Sequence, residues 1–351
     1  MYLGKRIGVV VPAYNEARLI RRTLTTMPDV VDRIFVVDDA STDDTARIVR
    51  DMAGEFDGRL TLIRHETNRG VGAAITTGYK RALAEGVDVV AVMAGDAQMD
   101  PDDLPRVLAP VCQGIAHYVK GNRLFTGESW RMIPHVRYLG NAVLSLLTKI
   151  ASGYWHVADS QTGYTAIDRQ TLLLLDLDAI YPRYGYPNDL LVHLNVYDRV
   201  VADVPVRPVY RIGETSGIRL GKVIPKMSWL LLKRFLWRLG AKYIVRDFHP
   251  LVFFYLFGAL LFASGFAFGA WLIWMRIFVT KVAPTSAIFS MFLMVTGLQL
   301  LLFAMWFDME RNRPLRADLI PEPSPRLRPI GETGRRSAPV PVADLRAEPA
   351  T

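Results

Sequence analysis

At 351 residues, with 51% hydrophobic residues and a formal net charge of +8, the chain can hold one large core plus an appendage and is too apolar for a wholly water-soluble enzyme. One cysteine, Cys112, excludes an intrachain disulfide framework and a zinc-thiolate cluster; it reads as a small buried apolar residue in a reducing setting. The basic balance calls for an anionic partner, and nucleic acid, an acidic bilayer and phosphorylated substrates all qualify on charge alone.

The opening residues MYLGKRIGVVVPAYNE run straight into a strand-like segment without an apolar h-region or cleavage site, so no signal peptide is expected. From Ile7 to Val119, short β-rich runs at Ile7–Val11, Ile34–Val37, Leu60–Ile63 and Val87–Met93 alternate with helical patterns such as Arg18–Met27 and Asp43–Ala53. Continuous apolar strands of this kind predict a parallel sheet buried on both faces, whose ligands bind beyond the strand C-terminal ends. Ser41 or Thr42 is expected to cap the helix that follows, with Asp43 and Asp44 at its positive end. Arg131–Ile150 reads as a helix, Thr162–Ile167 as a strand, Asp189–Tyr197 as a helix and Val200–Pro205 as an edge strand closed by prolines. Together these make one domain over 1–215.

Over 216–249, Lys222, Lys226, Arg234, Arg238, Lys242 and Arg246 recur at multiples of four among aromatic and aliphatic residues. On a helix they form a slowly drifting stripe, which predicts helices lying on an anionic membrane surface; Pro225 and Gly240 predict two short helices rather than one. Within 250–307, Pro250–Met275 and Val282–Phe307 carry no charged side chain, and each exceeds the ~20 residues needed to span a bilayer. They predict a transmembrane hairpin, with Trp271, Trp274 and Trp306 near the interfaces. Basic residues crowd its two outer flanks, whereas the turn carries only Arg276 and Lys281, so both flanks are expected in the cytoplasm. The small-residue run GALLFASGFAFG suggests packing of the spans against copies of the chain. The Pro- and Arg-rich remainder, 308–351, has too little apolar surface to fold alone and is expected to be disordered.

Four segments carry residues with chemical use. VVVPAYNE (Val9–Glu16) ends a strand, and Pro12, Tyr14 and Glu16 put an aromatic face and a carboxylate where a base can bind. VVDDASTD ends the next strand with Asp38 and Asp39, which can accept hydrogen bonds from base or ribose or, equally, build a capped turn. NRGVGAAITTG opens a helix with glycines that include Gly72, where backbone N–H groups can approach a phosphate; close helix–sheet packing is the alternative. AGDAQMDPDDL follows a strand, and Asp96 and Gln98 are spaced so that both can point hard oxygen ligands at one Mg²⁺ or Mn²⁺ beside a departing diphosphate. Asp100, Asp102 and Asp103 read instead as the cap of a helix beginning near Pro101.

The order of these segments resembles the family 2 glycosyltransferases, specifically the polyprenyl-phosphate (dolichyl or undecaprenyl-phosphate) sugar synthases. The resemblance implies an α/β, GT-A Rossmann-like nucleotide-sugar-binding domain followed by the two-helix transmembrane hairpin. It assigns Pro12, Tyr14, Glu16 and Asp39 to the nucleoside, and Asp96 and Gln98 to a metal, with Ala94 standing where relatives commonly carry a second Asp. KGNRL and the following helix resemble the acceptor side, which nominates Arg123 and Arg137 for a lipid phosphate. DSQTGYTAI puts Asp159 close to the sugar, YGYPNDLL matches the place of a catalytic acid and nominates Asp189, and YRIGETSGIR nominates Arg211 as a phosphate contact. The implied reaction moves one sugar, with inversion, from a nucleotide-sugar to a polyprenyl phosphate at the cytoplasmic face. A glycolipid or polysaccharide hydroxyl as acceptor, and a scaffold impaired by Ala94, are the competing readings. Nucleic acid is not expected, because the bases cluster beside the spans rather than among stacking aromatics.

Overall fold

Residues 1–124, 135–207, 209 and 220–317 are described by the computed structural model of the chain. The side chains of 135–142 and 220–223 lie outside that description, as do Arg211 and residues 318–351. The disordered tail expected over 308–351 is corrected at its start, where the last helix runs on to Asn312 and Arg313–Leu315 form a helical turn.

Strands β1 (Ile7–Ala13), β2 (Arg33–Asp38) and β4 (Val89–Val92) are buried almost throughout, which is why they read as unbroken apolar runs. With β3 (Leu60–Arg64), β5 (Tyr118–Asn122), β6 (Thr165–Asp168) and β7 (Val201–Pro205) they form one sheet in the order β3-β2-β1-β4-β6-β5-β7. The helices of this domain are α1 (Ile20–Thr25), α2 (Thr45–Met52), α3 (Val71–Ala84), α4 (Leu104–Cys112), α5 (His135–Ser152), α6 (Arg169–Leu174) and α7 (Tyr186–Val196). The prolines around β7 fit its place at the sheet edge.

The first four strands are parallel as the sequence predicts, whereas β6, for which the sequence indicates no direction, runs antiparallel to both β4 and β5. The chain leaves β5 and re-enters β6 at the same end of the sheet, so β6 must run backwards; an apolar run carries no record of its direction. The consequence is functional. The C-terminal ends of β1, β2, β4, β5 and β7 and the N-terminal end of β6 share one edge.

At the start of α2 the cap is not the expected one. Asp43 accepts the Thr45 N–H at 3.0 Å, while the Ser41 hydroxyl accepts the Asn15 N–H at 2.9 Å and so ties two loops together. Asp100 caps as expected, accepting the Asp102 N–H at 3.0 Å.

Two expectations for the basic segment are corrected. Helix α8 (Leu220–Gly240) runs unbroken through Pro225, which lies near the helix start where its missing N–H forfeits one bond, and continues into a π-helical turn at Ala241–Arg246. Nor does the whole basic stripe face outward, although Lys226 and Arg246 are exposed. Arg238 and Lys242 are buried; Arg234, Arg238 and Lys242 pair with Asp189 (2.5 Å), Asp308 (2.9 Å) and Asp198 (2.8 Å). The exposed face carries Trp229, Leu232 and Leu236, with the Lys233 ammonium over the Trp229 ring at 5.5 Å. A spacing of four records that the bases share a face, not what lies opposite them.

Helices α9 (Leu251–Phe278) and α10 (Pro284–Asn312) pack as a hairpin, and both are long and apolar enough to cross a membrane. Only 17% of the most apolar stretch of each is buried in the protein, so they are not core helices of a soluble fold. The small-residue run is spent inside the hairpin: Gly258 and Gly265 face α10, and a Cβ on Gly297 would sit 2.4 Å from the backbone nitrogen of Phe262. Gly297→Val is therefore expected to force the helices apart and cost about 1–3 kcal/mol, read as a lower unfolding temperature in detergent; an unchanged temperature would contradict the close approach.

Candidate active site

The loops at the shared edge are held in backbone conformations that their residues do not favour. Asn15, Ala40 and Ala97, in the loops after β1, β2 and β4, have φ of 57°, 61° and 54°; for L-residues the left-handed region costs about 1–2 kcal/mol, and such strain persists where the surroundings over-determine it. Here the loops brace one another. The Thr42 N–H donates to Asn15 Oδ1 (2.8 Å), the Asp39 N–H to the Ala13 carbonyl (2.9 Å) and the Gly95 N–H to the Pro12 carbonyl (3.1 Å).

Around the ends of β1 and β2 lie four of the residues nominated for the nucleoside. Pro12 is buried within β1, Tyr14 leaves 46% of its surface exposed, and the Glu16 N–H donates to Thr45 Oγ1 at 2.8 Å. The carboxylate of Asp39 is already engaged: it meets His65 Nδ1 at 2.7 Å and accepts the N–H groups of Arg69 (2.9 Å) and Gly70 (2.7 Å). It therefore shapes the loop before α3. Asp38, fully buried, lies 3.2 Å from Arg64 Nε. Gly72 shows the packing alternative. The Tyr181 and Pro182 carbonyls cover the start of α3, the Ala73 N–H donates to Pro182 at 2.9 Å, and a Cβ on Gly72 would lie 2.4 Å from the Tyr181 oxygen.

Burial, then the nearby charges of Asp96 and Asp43, push the Glu16 carboxyl up to about 7. The folded chain thus holds a proton that the unfolded chain releases near 4.5, so the stability linked to it is fully present below that value and is lost as pH rises through about 7. Glu16→Gln is expected to flatten the unfolding temperature between about pH 5 and 8 relative to wild type. Parallel profiles in a thermal-unfolding series across pH would refute this.

The loop after β4, the end of β5, the segment entering β6 and the segment after β7 border an open cleft lined among others by Asp96, Gln98, Arg123, Thr162, Tyr164 and Arg207. Three of the nominated residues, Asp96, Gln98 and Arg123, thus meet in one space. The Gln98 N–H donates to Asp96 Oδ1 at 3.1 Å, closing a tight turn, and both residues line the cleft. Arg123, which also lines it, grips Asp159 with its guanidinium through Nε (2.7 Å) and Nη2 (3.2 Å). Burial by itself would raise the Asp159 carboxyl, but Arg123, with Lys120 behind it, outweighs burial and holds it below the usual range. Lys120 is sealed in β5, donates to the Thr162 carbonyl at 2.7 Å, and is pulled down to about 8 by burial. Asp189 does not line the cleft. It is fully buried, accepts the Tyr181 N–H at 2.6 Å and pairs with Arg234. Arg211 and the Arg137 side chain lie outside the described residues.

Residues 8–184 match the model of glycosyl transferase family 2. The chain belongs to glycosyl transferase family 2. Among its relatives, the UDP-N-acetylglucosamine–dolichyl-phosphate N-acetylglucosaminyltransferase of Methanococcus voltae is 30% identical over 218 residues, covering 59% of this chain and 86% of that protein. The undecaprenyl-phosphate mannosyltransferase of Micrococcus luteus is 31% identical over 236 residues, covering 65% and 96%. The crystal structure of glucosyl-3-phosphoglycerate synthase from Mycobacterium tuberculosis shares 23% identity, covers 68% of this chain and 81% of that one, and superposes with a TM-score of 0.47.

For this family 2 member, the donor set suits a divalent cation. Asp96 and Gln98 both line the cleft and carry side-chain oxygen atoms, and among the described residues no cluster of three His, Cys, Asp or Glu side chains offers a closed cage. Two protein oxygens with the rest left to phosphates and water is how Mg²⁺ is commonly held. Sequence reading missed Arg207, which reaches Asp100 at 3.2 Å, and Tyr164, whose hydroxyl donates to the Asp100 carbonyl at 3.0 Å. Tyr164 immediately precedes the reversed β6 and Arg207 follows β7, both strands pairing with β5; the sequence placed Tyr164 inside a strand and Arg207 just beyond one, with no sign of the cleft.

Proposed function

We propose that this chain is a membrane-anchored, inverting glycosyltransferase that moves one sugar from a nucleotide-sugar to a polyprenyl phosphate at the cytoplasmic face, with Mg²⁺ or Mn²⁺ held by Asp96 and Gln98. The observation that carries the reading is that one cleft gathers oxygen ligands (Asp96, Gln98) and guanidinium groups (Arg123, Arg207) in a fold that continues into a membrane-length hairpin. Such a cleft suits two anionic substrates that must be brought together. The two relatives named above act, by their names, on dolichyl and undecaprenyl phosphates, which supports the acceptor.

A phosphomonoester with a second pKa near 6 is largely a dianion at neutral pH, so the acceptor needs no general base. Its oxygen attacks the anomeric carbon, the bond to the nucleoside diphosphate breaks on the opposite face, and the electron pair leaves with the diphosphate. Arg123, braced by Asp159, receives the acceptor phosphate together with Arg137, and Arg211 is proposed to contact the phosphates of the nucleotide-sugar donor. Pro12, Tyr14 and Glu16 hold the nucleoside, and Asp39 shapes the adjoining loop. A bound divalent cation would act as a Lewis acid on the departing diphosphate. Trp229, Leu232 and Leu236 on the outer face of α8 rest at the bilayer surface.

The test incubates the full chain in detergent or vesicles with radiolabelled nucleotide-sugars, polyprenyl phosphate and Mg²⁺ or Mn²⁺, following label into organic-extractable, mild-acid-labile lipid. The expected result is one labelled lipid, lost with EDTA. Label found instead in an acid-stable glycolipid would assign a hydroxyl acceptor, and nucleotide-sugar binding without transfer would favour a scaffold.

A further inference from the structure

Where α8 meets the second span, the molecule buries an unusual amount of charge. Arg238 and Asp308 are both fully buried and form a two-bonded pair, Nη1–Oδ1 and Nη2–Oδ2, each at 2.9 Å. Tyr243 donates its hydroxyl to the same carboxylate at 2.7 Å, and Asn312, one turn on from Asp308, donates to it at 3.0 Å. The network then crosses into the catalytic domain. Arg238 Nη2 donates to the Ile150 carbonyl at the end of α5 (3.1 Å), and Lys242 donates to the Asn195 carbonyl at the end of α7 (2.9 Å) and to Asn312 Oδ1 (2.9 Å), while pairing with Asp198. Five elements, α5, α7, α8, the π-turn and α10, are thereby fixed to one another by directional bonds.

A buried ion pair is poor evidence for stability, because apolar residues of similar volume do as well or better; its best-attested use is to specify a register. Ridges of Leu and Phe could have glued α8 to the hairpin, but they permit sliding. The bidentate pair does not, since each guanidinium N–H must meet its own carboxylate oxygen. We propose that Arg238 and Asp308 are positioning residues that fix the height and tilt of the catalytic cleft over the membrane hairpin, so that the cleft meets a phosphate head group presented by the bilayer. The proposal rests on the acceptor assigned above. A soluble acceptor finds the cleft at any height; a membrane-held one does not.

The test compares wild type, Asp308→Asn and the double variant Arg238→Met/Asp308→Leu, which keeps the site filled if the charge-altered single variant fails to fold. Each is assayed with long-chain polyprenyl phosphate in vesicles and with geranyl phosphate in solution. The expected result is a loss of about 10- to 100-fold on the vesicle acceptor, the scale of a displaced reacting group, with the rate on geranyl phosphate retained. Equal losses on both acceptors, or none on either, would overturn it. A second readout needs no activity: spin labels at Leu173→Cys and Val279→Cys, both on exposed positions. The native Cys112, buried and with its thiol pushed up to about 11, stays unlabelled. A narrow distance distribution in wild type that broadens in the variants supports the lock, and identical distributions refute it. If wild type glycosylates neither acceptor, the proposed function fails, and the distances alone decide the positioning role.

Discussion

Asp96→Ala is expected to lower sugar transfer by about 10³-fold, the scale on which enzymes depend on a single preorganised electrostatic contact. Among the described residues that line the cleft, Asp96 is the one carboxylate; Gln98 beside it is neutral, and the Ala94 side chain brings no oxygen. On the proposed function, removing Asp96 would leave the departing diphosphate without a charged anchor for its counter-ion. The variant also removes a charge that pushes Glu16 upward, so Glu16 is expected to ionise more readily in it. Initial rates over a metal series separate the possibilities. A fall in kcat/KM that high Mn²⁺ partly restores is the expected outcome, and an Asp96→Ala enzyme with wild-type rates would dismiss the site.

The second large effect concerns Arg123. Arg123→Ala takes the partner from a carboxylate that is only 3% exposed, and breaking a buried pair from one side costs about 3 kcal/mol or more. It should also abolish most transfer, since the same guanidinium lines the cleft. The pH dependence distinguishes this from a general loss of packing. In wild type the Asp159 carboxyl is held below its ordinary range, so its contribution is present above the unfolded value near 3.9 and is lost as pH falls through the lower folded value. Without Arg123 the largest influence opposing burial is lost and only Lys120 and the Gln161 N–H still oppose it, so the carboxyl is expected to rise and the variant to lose less stability than wild type, or gain some, on acidification from pH 7 toward 5. Denaturant unfolding at several pH values checks the sign. Arg123→Met/Asp159→Leu should recover stability while leaving transfer absent, because it removes the orphaned charge but not the need for a cation in the cleft.

How much of this was legible follows from what each residue depends on. The strands β1, β2, β3 and β4, the cap at Asp100 and the two spans depend on local composition and near neighbours, and all were readable in order. So was the loop that holds Asp96 and Gln98, because a strand end is a local event and a parallel sheet sends its strand ends to one edge; β5 was not read as a strand, and Arg123 was nominated only through the family resemblance of KGNRL. Gly72 and Asp39 illustrate the limit. Their segments were correctly placed, yet the Pro182 carbonyl over α3 and the Arg69 and Gly70 amides on Asp39 come from chain that the motif does not contain.

Charge was the least legible property. By itself the sequence determined that a nucleotide-binding type of α/β domain precedes a hydrophobic hairpin and that six bases repeat at multiples of four, because apolar runs and helical spacing are intrinsic to the segment. Only the tertiary structure decided that Arg234, Arg238 and Lys242 turn inward to Asp189, Asp308 and Asp198, that β6 runs backwards, and that Arg207 and Tyr164 border the cleft. Pairing a buried charge requires a partner within a few ångströms, and here every partner lies some forty residues or more away along the chain, a distance that only the fold can close.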